Sequence, residues 1–280
     1  MRRSLLFVPG DNPGMLQSAG VYNADAIIID LEDSIALSNK DSARILVNEF
    51  LKDHKLEKEV IIRVNSFDSP YYKEDLELLV SDNIDTILLP KADLENTVKL
   101  DALLSKLEQK KNLKKVIKII PLIEQVSSLL EVEEIALLNR VDGILLGAED
   151  LASNMGVSRT KKGYEIFYPR AKVALACINA GIEAIDTPFT DTRDFIGLEE
   201  DCQLSKGLGF KAKSAIHPNH IDIINKVYSP SKEEIVYAIK VLEMAKTNKG
   251  AFSINNKMID KPIIERAKKT IENAKAFGLI

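Results

Sequence analysis

At 280 residues the chain is longer than most single-core domains but of ordinary length for one α/β barrel. Hydrophobic residues at 45% and charged residues at 29% exclude a disordered or fibrous chain. A formal net charge of −4, from 42 acidic against 38 basic residues, lacks the basic excess that binding a phosphate backbone requires, so nucleic acid is excluded as a partner.

In chain order, short apolar runs of β type are predicted at residues 4–9, 24–31, 60–65, 86–90, 118–123, 143–147, 183–187 and 213–217. The first run is ended by Pro9-Gly10-Asp11, well short of a signal peptide or a membrane span, and the expected location is cytoplasmic. Between the runs, apolar residues recur every three or four positions over 41–51, 73–80, 94–110, 126–138, 170–180 and 195–208, the spacing of helices. Lys110, Lys111, Lys114, Lys115 and Lys118 are read as a solvated helix surface. Cys177 and Cys202 stand alone, without C-x-x-C or Cys/His spacing for zinc, and are expected as reduced core thiols.

Runs such as Ile27-Ile28-Ile29 and Ile144-Leu145-Leu146 are apolar on successive residues, which fits parallel strands buried on both faces. A closed barrel and an open doubly wound sheet both satisfy this pattern. The (β/α)₈ TIM barrel is favoured because eight units account for about the 250 residues typical of that fold, and no G-x-G-x-x-G turn follows the first strand. After the eighth strand a helix is predicted at 232–246, an irregular stretch at 247–258 and a last helix at 262–277 with proline in its first turn. The expected organisation is a barrel over 1–230 and a C-terminal helical extension over 231–280, packed on the barrel or on a neighbouring subunit.

In such a barrel the C-terminal strand ends converge on one mouth, so polar residues that end apolar strands point to the site. The second strand ends in Asp30, Glu32 and Asp33, the third in Arg63 and Asn65, and the fourth in Lys91. The fifth ends in Glu124, the sixth in Glu149 and Asp150, the seventh in Asp186 and Thr187, and the eighth in His217. Carboxylates without matching histidines or thiolates suit a hard cation, and Mg²⁺ needs only one or two of them. His217 is read as a packed residue, and His54 and His220 as surface residues.

Arg2-Arg3-Ser4-Leu5-Leu6-Phe7-Val8-Pro9-Gly10, Asp30-Leu31-Glu32-Asp33-Ser34, Ile62-Arg63-Val64-Asn65, Leu89-Pro90-Lys91 and Gly147-Ala148-Glu149-Asp150 resemble the citrate lyase beta-subunit family. The resemblance continues through Gly207-Leu208-Gly209-Phe210, the stretch 213–218 and Asn256-Lys257-Met258-Ile259-Asp260-Lys261-Pro262. It implies a Mg²⁺-dependent carbon–carbon lyase that cleaves a 3-hydroxyacyl thioester through a thioester enolate. On the resemblance Glu124 and Asp150 hold Mg²⁺, Glu124 also borders the substrate, and Arg63 binds the substrate and stabilises the enolate. Asp260 is the general acid, reaching a neighbouring subunit's mouth in a homo-oligomer, expected to be a trimer. Glu32 and Asp33 join the catalytic group by holding Arg63 or the metal's waters, and Arg2, Asn65 and Lys91 are assigned to substrate or the pantetheine-phosphate arm.

The same family implies two carriers for the substrate. Citrate lyase beta subunits take citryl from an acyl carrier protein in a complex with alpha and gamma subunits, whereas stand-alone relatives cleave malyl-, citramalyl- or citryl-CoA. The stretch 66–76 and Ile216-His217-Pro218 resemble the stand-alone CoA-ester lyases. A malate synthase or thioesterase using the same mouth, and a scaffold without catalysis, are the alternatives.

Overall fold

The computed structural model describes residues 1–247, 251–254 and 257–280. Eight parallel strands close into a barrel in sequence order. They are β1 (Ser4–Pro9), β2 (Ala26–Asp30), β3 (Glu59–Arg63), β4 (Thr86–Leu89), β5 (Lys118–Ile123), β6 (Gly143–Leu146), β7 (Glu183–Asp186) and β8 (Ala212–Ala215), with β8 pairing back on β1 through Leu5 and Ser214. The helices are α1 (Pro13–Ser18), α2 (Lys40–Asp53), α3 (Tyr72–Leu79), α4 (Leu94–Lys111), α5 (Val126–Leu130), α6 (Val132–Ala136), α7 (Ala148–Asn154), α8 (Phe167–Ala180) and α9 (Phe195–Leu208).

Local chemistry sets their limits. Asp93 caps α4 by accepting from the Asn96 amide at 2.6 Å, and Asn112 ends it in the left-handed region at φ 54°. The helix expected over 126–138 is broken into α5 and α6 at Glu131, whose φ and ψ of −98° and 4° leave the helical range. Helices α1 and α7 fall in segments for which no helix is predicted, because six or seven residues show too few turns for a period to register.

Strand alternation decides what faces inward. Leu5, Ala26, Ile28, Ile61, Leu88, Ile120, Leu122, Leu145, Ile185 and Ala212 form one buried cluster, the barrel interior. Two residues further along the same faces stand Phe7, Asp30, Arg63, Glu124, Gly147 and Thr187, which line the mouth. At the opposite end the Arg2 guanidinium pairs with Glu59 at 2.6 Å, Glu183 at 2.7 Å and Asp142 at 3.1 Å, groups at or just before the starts of β3, β7 and β6.

The described chain divides into two compact units, Arg2–Ile224 and Asn225–Ile280 with Met1, the division falling within α10 (Ile221–Tyr228). In the second, α11 (Lys232–Thr247) and α12 (Lys261–Ala276) pack together over Ala238, Val241, Ile254, Ile259 and Ala267. The stretch expected to be irregular holds an antiparallel pair, β9 (Phe252–Ile254) with β10 (Lys257–Ile259); residues 248–250 and 255–256 of that stretch lie outside the described residues. Three-residue strands are too short for alternation to be read.

Candidate active site

Arg63, at the end of β3, is clasped from behind. Its Nε and Nη2 donate to the two oxygens of Asp30 at 2.7 and 2.6 Å, a forked geometry that fixes the guanidinium plane. Asp30 is held in turn by the amides of Glu32 at 2.8 Å and Ser34 at 3.0 Å, and Lys40 ties the same loop by donating to the carbonyls of Leu31 and Glu32. Burial opposes the ionised form of Asp30, but Arg63 and these donors outweigh it and hold the carboxyl below the usual range. The Phe7 ring lies under the guanidinium, 5.2 Å from ring centre to Cζ.

The remaining Arg63 nitrogen, Nη1, is directed at Asp33, 3.1 Å away, and at Glu32. Glu32 Oε2 lies 3.2 Å from Nη1 yet outside hydrogen-bonding geometry, and it is buried with no hydrogen bond among the described residues. Burial, added to by the charges of Asp33, Glu124 and Asp30 and opposed by Arg63, pushes Glu32 up to about 8.

Glu124 follows β5 and is 4% exposed, with Oε1 accepting from the Lys91 amide at 2.6 Å. Lys91 reaches that position with φ 46°, the left-handed region that costs a side-chain-bearing residue roughly 1–2 kcal/mol. Burial first, then the nearby Asp150 and Asp33, push Glu124 up to about 7 against the opposing Lys91 amide and Arg63. Asp150 projects from the first turn of α7, is exposed and makes no ion pair among the described residues. Gly147 separates the two elements: a Cβ there would sit 2.8 Å from Glu124 Cβ and 3.0 Å from its Oε2, so only glycine leaves room for the carboxylate.

These groups line a cavity of about 440 Å³ and an adjoining one of about 230 Å³ that share Asp33, Glu124 and Asp150. Together the cavities present the carboxylates of Asp30, Glu32, Asp33, Glu124, Glu149 and Asp150 against two cations, Arg63 and Lys91. Asp30 is neutralised by Arg63, and Glu149 by Arg159 at 3.2 Å. The surplus lies on Glu124, Asp150 and their neighbours, where a hard divalent cation fits the donor set. Among the described residues no three His, Cys, Asp or Glu side chains converge on one point, so two carboxylates with water and substrate oxygens are the coordination on offer.

The structure thus brings together Arg63, Glu32, Asp33, Glu124, Asp150 and the backbone of Lys91, whose side chain is exposed at the smaller cavity. Arg2 is a correction: it precedes β1 and closes the far end of the barrel, away from the mouth. Asn65 is another, since its amide donates at 2.7 Å to Asp75, which also accepts from Arg44, so it serves packing outside β3. Asp186 alternates outward from Ile185 and joins Arg170, Lys213 and Asp201 in a buried charge cluster behind the strands. His220 is buried beside the rings of Phe189, Phe195 and His217 rather than at the surface. Asp260 belongs to the C-terminal unit; it occupies the cap position of α12 without capping it, and its Oδ1 is buried with no hydrogen bond among the described residues.

Phe7, Gly147 and Lys40 were not picked out from the sequence. The period of two along β1 and β6 identifies the first two once inward positions are fixed, whereas no sequence signal marks Lys40. No helix among the described residues is long and apolar enough to cross a membrane.

Residues 3–218 match a family model described as HpcH/HpaI aldolase/citrate lyase. The chain is 37% identical to the citrate lyase subunit beta of Leuconostoc mesenteroides subsp. cremoris, with 100% of this chain and 95% of that protein covered. Human mitochondrial citramalyl-CoA lyase is 30% identical, with 96% of this chain and 84% of that protein covered. Among solved structures, protein CitE from Mycobacterium tuberculosis in complex with magnesium, acetoacetate and coenzyme A matches with a TM-score of 0.80 at 28% identity, over 97% of both chains.

Proposed function

The chain belongs to the HpcH/HpaI aldolase/citrate lyase family, and from that premise we propose that it is a Mg²⁺-dependent lyase that cleaves citryl thioester to oxaloacetate and an acetyl thioester. The observation that carries this reading is the convergence of Glu124, Asp150 and Arg63 on one cavity, with a surplus of carboxylate beside a fixed guanidinium. Glu124 and Asp150 would hold Mg²⁺, which when bound supplies Lewis-acid polarisation of the substrate hydroxyl and its adjacent carboxylate.

The chain's own groups do the rest. Cleavage turns the hydroxyl-bearing carbon into the carbonyl of a 2-oxo acid as the hydroxyl proton passes to solvent water, and leaves the bonding pair on the thioester as an enolate. Arg63 stabilises the developing oxyanion, and because Asp30 already fixes the guanidinium plane, little reorganisation accompanies the reaction. Asp33 and Glu32 steady Nη1. Asp260, carried by a neighbouring subunit of a homotrimer, gives a proton to the enolate carbon; its Oδ1, buried and with no hydrogen bond among the described residues, supports a role other than capping. The C-terminal extension would pack on that neighbour.

Acyl carrier protein is the favoured carrier, because identity is higher to the citrate lyase beta subunit, at 37%, than to citramalyl-CoA lyase, at 30%. Alpha and gamma subunits would then be partners. The CoA ester is the second reading, supported by the coenzyme A in the CitE structure. The test is release of 2-oxo acid from citryl-, malyl- and citramalyl-CoA and from citryl carrier protein, with Asp150→Ala as control. Mg²⁺-dependent cleavage lost in the variant is expected; turnover unaffected by Asp150→Ala would overturn the assignment.

A further inference from the structure

Helix α7 carries Asp150 in its first turn, yet it begins without a side-chain cap, because its cap residue is Gly147. Serine, threonine, aspartate or asparagine would ordinarily stand there to satisfy the free amides of the first turn. Here none can, since any Cβ at 147 would meet Glu124 Cβ at 2.8 Å and Oε2 at 3.0 Å. Room for the Glu124 carboxylate and a cap on the Asp150 helix are therefore in conflict at one residue.

Thr187 resolves the conflict from another strand. It follows β7 on the inward face, is 1% exposed, and lines the same cavity as Glu124, Gly147 and Asp150. Its Oγ1 accepts from the Ala148 amide at 3.3 Å. The other end of α7 is tied as well, Asn154 Oδ1 accepting from the Val126 amide at 2.9 Å, two residues after Glu124.

We propose that Thr187 is a positioning residue for the divalent-cation site: its hydroxyl caps α7 in place of Gly147 and so fixes Asp150 relative to Glu124. This rests on the assignment of Glu124 and Asp150 to Mg²⁺. Thr187 touches neither metal nor substrate in this role and acts through the Ala148 amide.

The experiment is calorimetric titration of Mg²⁺ into the full chain, freed of metal by chelator, for the unsubstituted protein, Thr187→Val and Thr187→Ser. Valine keeps the shape and loses the hydroxyl, and the expected result is Mg²⁺ affinity lower by on the order of fivefold, the equivalent of one neutral hydrogen bond. Serine restores it to within about twofold, a rescue that simple packing at 187 would not give. Should the valine variant fail to fold, Thr187→Ala removes the same hydroxyl and the serine comparison still decides. Equal affinity in the unsubstituted and valine chains, or failure of serine to restore it, overturns the role of Thr187 alone. Absence of Mg²⁺ uptake by the unsubstituted chain overturns the cation assignment, and this inference with it.

Discussion

Glu124 and Glu32 bear the strain of a mouth built from carboxylates. Burial pushes them up to about 7 and about 8, and in each case neighbouring carboxylates add to the shift. A carboxyl whose folded value is raised favours the fold fully below its unfolded value, near 4.3, and loses that contribution as pH rises through the folded value. The metal-free protein should therefore lose stability between about pH 4.5 and pH 8, Glu124 alone accounting for on the order of 3 kcal/mol. If Glu124 holds Mg²⁺ as proposed, the ion takes the ionised form and protons compete with it below about 7. At saturating Mg²⁺ the gain in melting temperature should be about 2–4 °C larger at pH 8 than at pH 6, corresponding to roughly tenfold in affinity. Scanning calorimetry at the two pH values checks this, and equal gains would remove Glu124 from the metal site. At this scale the strand-end rule picked out Arg63, Glu124 and Asp150, which line one cavity, and with them Asn65 and Asp186, which do not. Asp186 differs from Thr187 only by one step of alternation, whereas Arg2, which precedes β1, stands at the strand-start end of the barrel by chain order alone.

The elements that matter most are the short ones. Seven-residue α7 follows β6 directly and sets Asp150, but its sequence Ala-Glu-Asp-Leu-Ala-Ser-Asn spans two turns and carries no side-chain cap of its own. Its position is decided by Gly147, where the β6 strand hands over to the helix within van der Waals distance of Glu124. Gly147→Ala should thus separate fold from site. The added methyl forces Glu124 or α7 aside at a stability cost of about 1–3 kcal/mol, the range for overpacking. Mg²⁺ affinity should fall at least about tenfold, since two carboxylates serve a metal only at the right spacing. Thermal melts and Mg²⁺ titration of the variant measure the two effects separately; Mg²⁺ binding equal to that of the unsubstituted protein would show that the 147 position does not set the site. The long strands and helices were legible because their apolar periods run for several turns or alternations. The broken helix at Glu131, whose carboxylate accepts from the Leu94 amide 37 residues away, was not, nor was the β9–β10 pair, whose three-residue strands are too short to read.

At the scale of the molecule, eight apolar runs spaced by helical patterns fitted a closed barrel and an open doubly wound sheet alike, and chain length with the missing G-x-G-x-x-G turn favoured the barrel that the eight parallel strands form. The C-terminal unit was legible as helices, but its task is not written in its periodicity. Asp260 sits on that unit, its Oδ1 without a hydrogen bond among the described residues, while Arg63 sits on the barrel. If the extension of one subunit completes the mouth of the next, the two residues of one working site come from different chains, and mixed oligomers report it. Arg63→Ala and Asp260→Asn should each be inactive as homo-oligomers. In a random equal mixture, a mouth takes its intact Arg63 from one parent half of the time and its neighbour's intact Asp260 from the other half of the time. Activity should then recover to about a quarter of the unsubstituted value for any cyclic assembly with heterologous contacts. Co-expression of the two variants with one common tag, purification of the whole unselected oligomer population and assay of 2-oxo acid release make the measurement. If Asp260 instead serves the mouth of its own chain, every subunit in the mixture carries one lesion in its own site, and no activity returns at any mixing ratio.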